Sequence, residues 1–173
     1  MPQSVTTLGD VIGADNRTYP IAFLHVMWSK DERSAVGGIL VTDNFGVPLE
    51  FRISTAVRAS KLQVLLLGAS LRGHFSRDII GEKLIRNLTN RPLVYFVQQP
   101  ELLSLPAFSE TPAFSMRASG KADESPIVTP PDSKPQYASL LDLRTIHADM
   151  LEVFTRIDKG RQALSERDEH YRL

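Results

Sequence analysis

The chain of 173 residues contains no cysteine, and its twenty basic and twenty acidic side chains give a formal net charge of zero. The lack of cysteine excludes a disulfide framework, a thiolate nucleophile and zinc sites built on cysteine. The charge balance gives the chain as a whole no attraction to nucleic acid or to a membrane surface. The hydrophobic fraction of 42% is ordinary for a globular protein of this size.

Long apolar runs are also missing. No stretch approaches the roughly 20 consecutive apolar residues that a helix needs to cross a bilayer. The first residues have neither the basic start nor the apolar centre of a signal peptide. We therefore expect no membrane partner and a cytoplasmic location, with which the lack of cysteine is compatible.

The sequence also lacks the short motifs that most often carry chemistry. It contains no glycine-rich loop for phosphates of the G-x-x-x-x-G-K-[ST] or G-x-G-x-x-G type, and no G-x-S-x-G elbow. Its four histidines never occur at the H-x-x-x-H spacing of a helical zinc site; they are His25, His74, His147 and His170. His25 lies within an apolar strand, where we interpret it as a hydrogen-bonded core residue. The sequence therefore predicts no catalytic residue, no metal ligand and no cofactor.

Composition divides the chain into four parts. Residues 1–19 are a polar lead-in, and residues 20–105 are predicted to form an α/β domain. Residues 106–136 are rich in proline and serine with scattered apolar residues, which is typical of a linker. Residues 137–173 are predicted to form one long C-terminal helix.

Three predicted strands open the domain and a fourth follows later. They are Ile21–Ser29, Val36–Thr42, a strand that starts at Pro48, and Pro92–Gln99. Between them, Ser60 and Gln63 form the capping box of a helix that we expect to be largely covered. A second helix is predicted to begin at Ser76, since serine favours the N-cap position.

This element order, three strands of an antiparallel meander followed by a helix and a fourth strand, resembles the opening of the ribonuclease-H-like fold. The resemblance implies a mixed α/β architecture of the α+β type over residues 21–105. In ribonuclease-H-like nucleases the first strand carries a metal-binding aspartate. The corresponding strand here, IAFLHVMWS, has no acidic residue, so the first ligand of a two-metal site is absent.

The stretch VGGILVTDNFGVPLEFRIST raises the question of a catalytic carboxylate pair. Asp43 lies at a turn, where aspartate is common for backbone reasons, and Glu50 shares a strand face with Arg52. An aspartate followed by E-x-K is the pattern of another class of metal-dependent nucleases. Arginine replaces the lysine here and is a poor proton-transfer group. We therefore interpret the stretch as a structural hairpin.

The same hairpin resembles a family of short bacterial proteins with a GG-apolar-V-D-x-x-G-x-P-x-E-F signature. That resemblance implies a bacterial source and no particular activity. The pair Gly37–Gly38 precedes no helix, so we interpret it as a bulge or as a place where another backbone comes close.

Charge is concentrated in the middle of the chain. From Arg52 to Arg91 there are eight basic residues and two acidic ones, a local net charge of +6. Such a segment is a candidate phosphate-contacting surface, unless acids from elsewhere neutralise it in space. The candidate phosphate-binding residues are Arg52, Arg58, Lys61, Arg72, His74 and Arg77.

The C-terminal helix carries an apolar stripe with heptad-like spacings of three and four residues. Its members are Leu143, Ile146, Met150, Val153 and Ile157. The stripe either packs on its own domain or docks on another chain. The long connection before it favours docking, because a helix needed to close the core is usually reached by a shorter connection.

From the sequence we expect a non-catalytic interaction subunit of a larger bacterial assembly, docked on another protein chain by this stripe. A first alternative is a nucleic-acid-binding accessory protein that works through the basic segment 52–91. A second alternative is a metal-dependent nuclease that uses Asp43 and Glu50.

Overall fold

The computed structural model describes residues 19–120, 126–136 and 148–170. Its centre is a seven-stranded sheet, which confirms the mixed α/β architecture. The strands are β1 (Ile21–Trp28), β2 (Ser34–Thr42), β3 (Pro48–Ile53), β4 (Val57–Arg58), β5 (Val94–Val97), β6 (Ala113–Arg117) and β7 (Ile127–Thr129).

The strand order in the sheet is β3-β2-β1-β5-β6-β7, with β4 paired beside β2. Strands β1, β2 and β3 form the antiparallel meander that the sequence predicts. Strand β5 pairs in parallel with β1 on one side and with β6 on the other. This arrangement agrees with the ribonuclease-H-like order expected from the sequence.

A run of helical segments covers one face of the sheet. It contains α1 (Lys61–Leu67), α2 (Leu71–Gly73), π-helical turns over His74–Gly81 and α3 (Glu82–Arg86). The capping box at Ser60 is present, with reciprocal hydrogen bonds to Gln63. The core on this face contains the even-numbered residues of β1 together with Ile80 and Leu84.

The second helix does not begin where the sequence predicts. Ser76 is buried inside the π-helical turns rather than at a helix start, and its hydroxyl accepts a hydrogen bond from the indole N–H of Trp28 at 3.3 Å. Helix α1 also differs from the expectation that it is largely covered, because three of its leucines are 63% to 80% exposed. They are Leu62, Leu65 and Leu66.

The C-terminal helix α4 (Glu152–His170) covers the other face of the sheet. Val153, Phe154 and Ile157 are buried in one cluster with Phe23 of β1 and Phe96 of β5. The helix is therefore part of this chain's own core. Of the predicted docking stripe, Met150 packs against the same cluster, and Leu143 and Ile146 lie outside the described residues.

Consecutive glycines in β2 allow both helical layers to approach the sheet. A Cβ atom at Gly37 would lie 2.2 Å from the Cγ2 atom of Ile80 on one face. A Cβ atom at Gly38 would lie 2.4 Å from the Cγ2 atom of Ile157 on the other face. Other parts of the chain do come close to these glycines, but the approaching atoms belong to side chains rather than to the backbone that the sequence predicts. The register shift in this strand lies between Val41 and Thr42 rather than at the glycines.

The segment predicted as a linker, residues 106–136, contributes two strands to the sheet. Strand β6 pairs with β5, and β7 pairs with β6. Ala113, Phe114 and Met116 of β6 are each at most 1% exposed. The prolines that suggested a linker lie outside these strands, where a missing N–H breaks no ladder hydrogen bond.

No helix in the described part of the chain is both long enough and apolar enough to cross a membrane.

Candidate functional site

The carboxylates of Asp43 and Glu50, the two acidic residues of the hairpin, both accept hydrogen bonds from backbone amide groups. The Oδ1 atom of Asp43 accepts hydrogen bonds from the amide N–H groups of Phe45 and Val47, both at 2.9 Å. These bonds close the turn between β2 and β3. Asp43 is 7% exposed, so little of its carboxylate faces solvent.

Glu50 joins β3 to the loop that precedes β5. Its carboxylate accepts hydrogen bonds from the amide N–H of Thr89 at 3.0 Å, from the amide N–H of Asn90 at 2.8 Å and from Arg52 Nε at 2.8 Å. Burial raises the pKa of Glu50, but these donors outweigh burial and lower its pKa to about 2. Glu50 is therefore a charged structural clamp.

This arrangement does not fit a metal-dependent nuclease that uses Asp43 and Glu50. Both carboxylates accept hydrogen bonds from backbone amides, and strand β1 contains no acidic residue. Among the side chains that the structure describes (residues 19–120, 126–136 and 150–164), no group of three or more His, Asp or Glu residues is placed to hold a metal ion.

The basic segment 52–91 is largely neutralised by nearby acidic residues. Ion pairs join Arg52 to Glu50, Arg58 to Asp31, Arg72 to Glu32, Arg77 to Asp78 and Arg86 to Glu82. His74 also lies 2.8 Å from the Asp78 carboxylate. Three of these acids come from outside the segment. Their charges interrupt the continuous basic surface that the segment would otherwise form. Of the six candidate phosphate-binding residues, only Arg72 lines the cleft described next.

An open cleft of about 620 Å³ lies at the carboxyl ends of β1 and β5. The chain leaves β1 towards β2 on one side and leaves β5 towards β6 on the other side. Crevices at such reversals of direction are the usual ligand sites of open α/β sheets. The polar and charged residues that line this one are His25, Ser29, Lys30, Glu32, Arg72, Gln98, Thr155 and Asp158.

One side of the cleft is cationic and aromatic. The guanidinium carbon of Arg72 lies 5.3 Å from the ring centre of Trp28, which is within the range of a cation–π contact. Trp28 also stacks on Phe75 at 6.1 Å between ring centres. Glu32 pairs with Arg72 at 2.8 Å, although both side chains remain about half or more exposed at 65% and 48%. Lys30 is exposed at the same end of the sheet.

The other side of the cleft is formed by β1 and α4. The Nδ1 atom of His25 lies 3.2 Å from the amide Nε2 atom of Gln99, and its ring packs edge-on against Phe154. Burial lowers the pKa of His25, while the charge of Asp158 on α4 acts in the opposite direction. The two sides of the cleft therefore offer different chemistry: cations on one, and a neutral donor with a carboxylate on the other.

Comparison with known proteins found no family model and no curated relative that matches this chain. The fold is similar to that of endonuclease V from Bacillus subtilis, with 18% identity over 65% of this chain and 48% of that one and a TM-score of 0.44. It is also similar to Ciona intestinalis endonuclease V in complex with an inosine-containing DNA, with 14% identity over 65% and 50% of the two chains and a TM-score of 0.35. The chain spans about half the length of these structures.

The prediction of a non-catalytic interaction subunit docked by its last helix is wrong. Val153 and Ile157 of the docking stripe are 4% and 0% exposed, because they pack on this chain's own sheet. The part of the stripe formed by Val153 and Ile157 is therefore not available to dock on another chain.

Sequence reasoning did not find the cleft. The sequence indicates Arg72 as a candidate phosphate-binding residue, but it carries no signal for Trp28, Lys30, Gln98 or Asp158. His25 was interpreted as a core residue, and it is half-buried at the edge of the cleft. Seventy-four positions separate His25 from Gln99, so no local spacing signals their contact.

Proposed function

We propose that this protein binds single-stranded nucleic acid across the cleft at the carboxyl ends of β1 and β5. The observation that carries the proposal is the Arg72 guanidinium held over the Trp28 ring at the reversal point of the sheet. Phosphates of the bound strand would contact Arg72 and the nearby Lys30.

A single strand fits this site better than a duplex, for chemical reasons. Proteins that bind unpaired strands combine cations that follow the backbone with planar groups on which bases stack. Arginine guanidinium planes and aromatic rings both serve as stacking surfaces. The cleft places both kinds of group together, because Arg72 lies over the ring of Trp28. The chain has no cysteine with which to build a zinc finger for reading a duplex.

The ion pair between Arg72 and Glu32 limits the affinity of this site for phosphate. Glu32 competes with phosphate for the guanidinium, and it holds a positive φ of 54°, which non-glycine residues seldom adopt. We expect Glu32→Gln to bind a single strand more tightly than the wild type, by about threefold, because the competing charge is removed. Fluorescence anisotropy with a labelled oligothymidylate measures this change.

The direct test of the proposed function is loss of affinity in Arg72→Ala. With an oligothymidylate of about fifteen nucleotides, we expect affinity to fall about tenfold and the dependence of log affinity on log salt to decrease by about 0.7, the value of one released phosphate contact. Arg86→Ala is the matched control. It removes an ion-paired arginine of α3 that does not line the cleft, so its affinity should equal that of the wild type.

Two results would reject the proposed function. The first is an absence of salt-dependent binding of the oligonucleotide by the wild type. The second is an equal loss of affinity in Arg72→Ala and Arg86→Ala, which would show that binding responds to overall charge rather than to the cleft.

A further inference from the structure

Gln99 takes the place of a missing strand at the edge of β1. Pairing between β1 and β5 covers Ile21 to Leu24 and stops at Val97 of β5. Beyond it, the Val26 amide N–H donates to Gln99 Oε1 at 3.3 Å, and Gln99 Nε2 donates to the Val26 carbonyl at 2.8 Å. The side-chain amide therefore continues the ladder by one step and satisfies two buried backbone groups.

This clamp fixes which nitrogen of His25 carries the proton. The backbone of Val26 decides the orientation of the Gln99 amide, since Oε1 must face the N–H group and Nε2 must face the carbonyl. The Nε2 atom of Gln99 is thus a donor, and His25 Nδ1, 3.2 Å away, must be the acceptor. A neutral His25 then carries its proton on Nε2, which has no hydrogen-bond partner among the described residues.

The groups beside His25 limit the kind of ligand. The Asp158 carboxylate lies close enough to act on His25 electrostatically and forms an ion pair with Arg161 at 3.3 Å. A phosphate beside His25 would compete with this carboxylate for the arginine and would be repelled by its charge. Met27 and Phe154 line the same part of the cleft and give it an apolar wall. A ligand at this point must be flat and uncharged, and it must offer a hydrogen-bond acceptor next to a donor.

From this geometry we propose that the cleft takes up one unpaired nucleobase of the bound strand, with its Watson–Crick edge on His25 and Asp158. His25 Nε2–H donates to an acceptor of the base, and the Asp158 carboxylate accepts from the neighbouring N–H group. Every nucleobase carries such an acceptor–donor pair on this edge, and the pair is free only in a single strand. The inference rests on the proposed function, because the phosphates of the same strand occupy the Arg72 side.

The test compares two oligonucleotides of about fifteen positions that share one backbone: oligothymidylate and an abasic strand without bases. We expect the wild type to bind oligothymidylate about tenfold more tightly, the size of effect that one or two hydrogen bonds to a base produce. In His25→Leu the difference should largely disappear, while affinity for the abasic strand should stay unchanged. Gln99 keeps its bonds to Val26 in this variant.

Asp158→Ala is a second variant, for which base binding and phosphate binding predict opposite changes in affinity. If Asp158 accepts a hydrogen bond from a base, its removal weakens binding of oligothymidylate and does not weaken binding of the abasic strand. If the site binds only phosphate, removal of this negative charge tightens binding of both strands. The latter result would overturn the inference.

Failure of the inference is distinguishable from failure of the proposed function. Equal, salt-dependent binding of both strands by the wild type would reject base reading and leave strand binding intact. Binding of neither strand would reject both. Nitrogen NMR of the His25 ring adds a check that needs no variant. In the protein without nucleic acid, a proton on Nδ1 of the neutral ring would contradict the fixed tautomer on which base reading depends.

Discussion

Replacement of Gly38 by valine is expected to lower the free energy of unfolding by about 3 kcal/mol. The added Cβ atom would lie 2.4 Å from the Cγ2 atom of Ile157, which is fully buried between α4 and the sheet. Since a β-branched methyl group close to its backbone has little freedom to move, the helix itself must shift. Urea unfolding followed by circular dichroism measures the loss.

Gly73→Ala is the matched control for this prediction. A Cβ atom at Gly73 meets nothing within 4 Å, and the backbone there is helical, so alanine should stabilise the protein by about 0.5–1 kcal/mol. The pair of variants also tests whether α4 belongs to the core. An unchanged stability in Gly38→Val would mean that α4 does not pack on β2 in solution.

Replacement of Glu50 by glutamine is expected to cost about 2 kcal/mol at neutral pH. The carboxylate accepts bonds from the amides of Thr89 and Asn90, and a glutamine side chain must turn its NH₂ group towards one of these donors. An amide that faces another donor loses its hydrogen bond, and the half-buried position of Asn90 limits the water that can replace it. Thermal or urea unfolding with the exposed Glu110→Gln as control measures the cost.

The loss in Glu50→Gln should also depend on pH. Glu50 titrates near 4.5 when unfolded and at about 2 when folded, because the hydrogen bonds favour the charged form. Its contribution to stability is therefore complete above pH 4.5 and disappears as the pH falls towards 2. The difference between wild type and variant should shrink over that window. A catalytic role predicts instead that Glu50→Gln abolishes metal-dependent cleavage and leaves stability unchanged.

The sequence predicts the meander because its cause is local. Alternation in Leu49, Phe51 and Ile53 and the turn residues Asp43 and Gly46 are enough to place β3 beside β2. The capping box at Ser60 is equally local and is present. Such features depend on neighbours a few positions away, which is the distance over which a sequence pattern carries information.

Other elements depend on contacts that no local pattern encodes. The proline-rich composition around β6 predicts a linker, yet Phe114 and Met116 complete the core under α4. The spacing of Val153 and Ile157 predicts an apolar helix face but not the surface that the face covers. Only the packing of Ile157 on Gly38 decides that the surface is this chain's own sheet.

The candidate site illustrates the same limit for charge. The sequence places +6 in the segment 52–91, and the structure pairs most of it with acids, three of them from outside the segment. What remains is a smaller cationic site at Arg72, whose partner Trp28 is 44 positions away. Its chemistry depends on the strand order, which brings the ends of β1 and β5 together.

The most direct test of strand binding in the cleft uses the intrinsic fluorescence of the protein. The chain has one tryptophan, Trp28, and it lies in the cleft beneath Arg72. We predict that oligothymidylate quenches this fluorescence in a saturable, salt-sensitive way, and that Arg72→Ala shifts the midpoint about tenfold to higher concentration. Saturable binding by anisotropy without any change in the Trp28 signal would place the strand elsewhere and contradict the account.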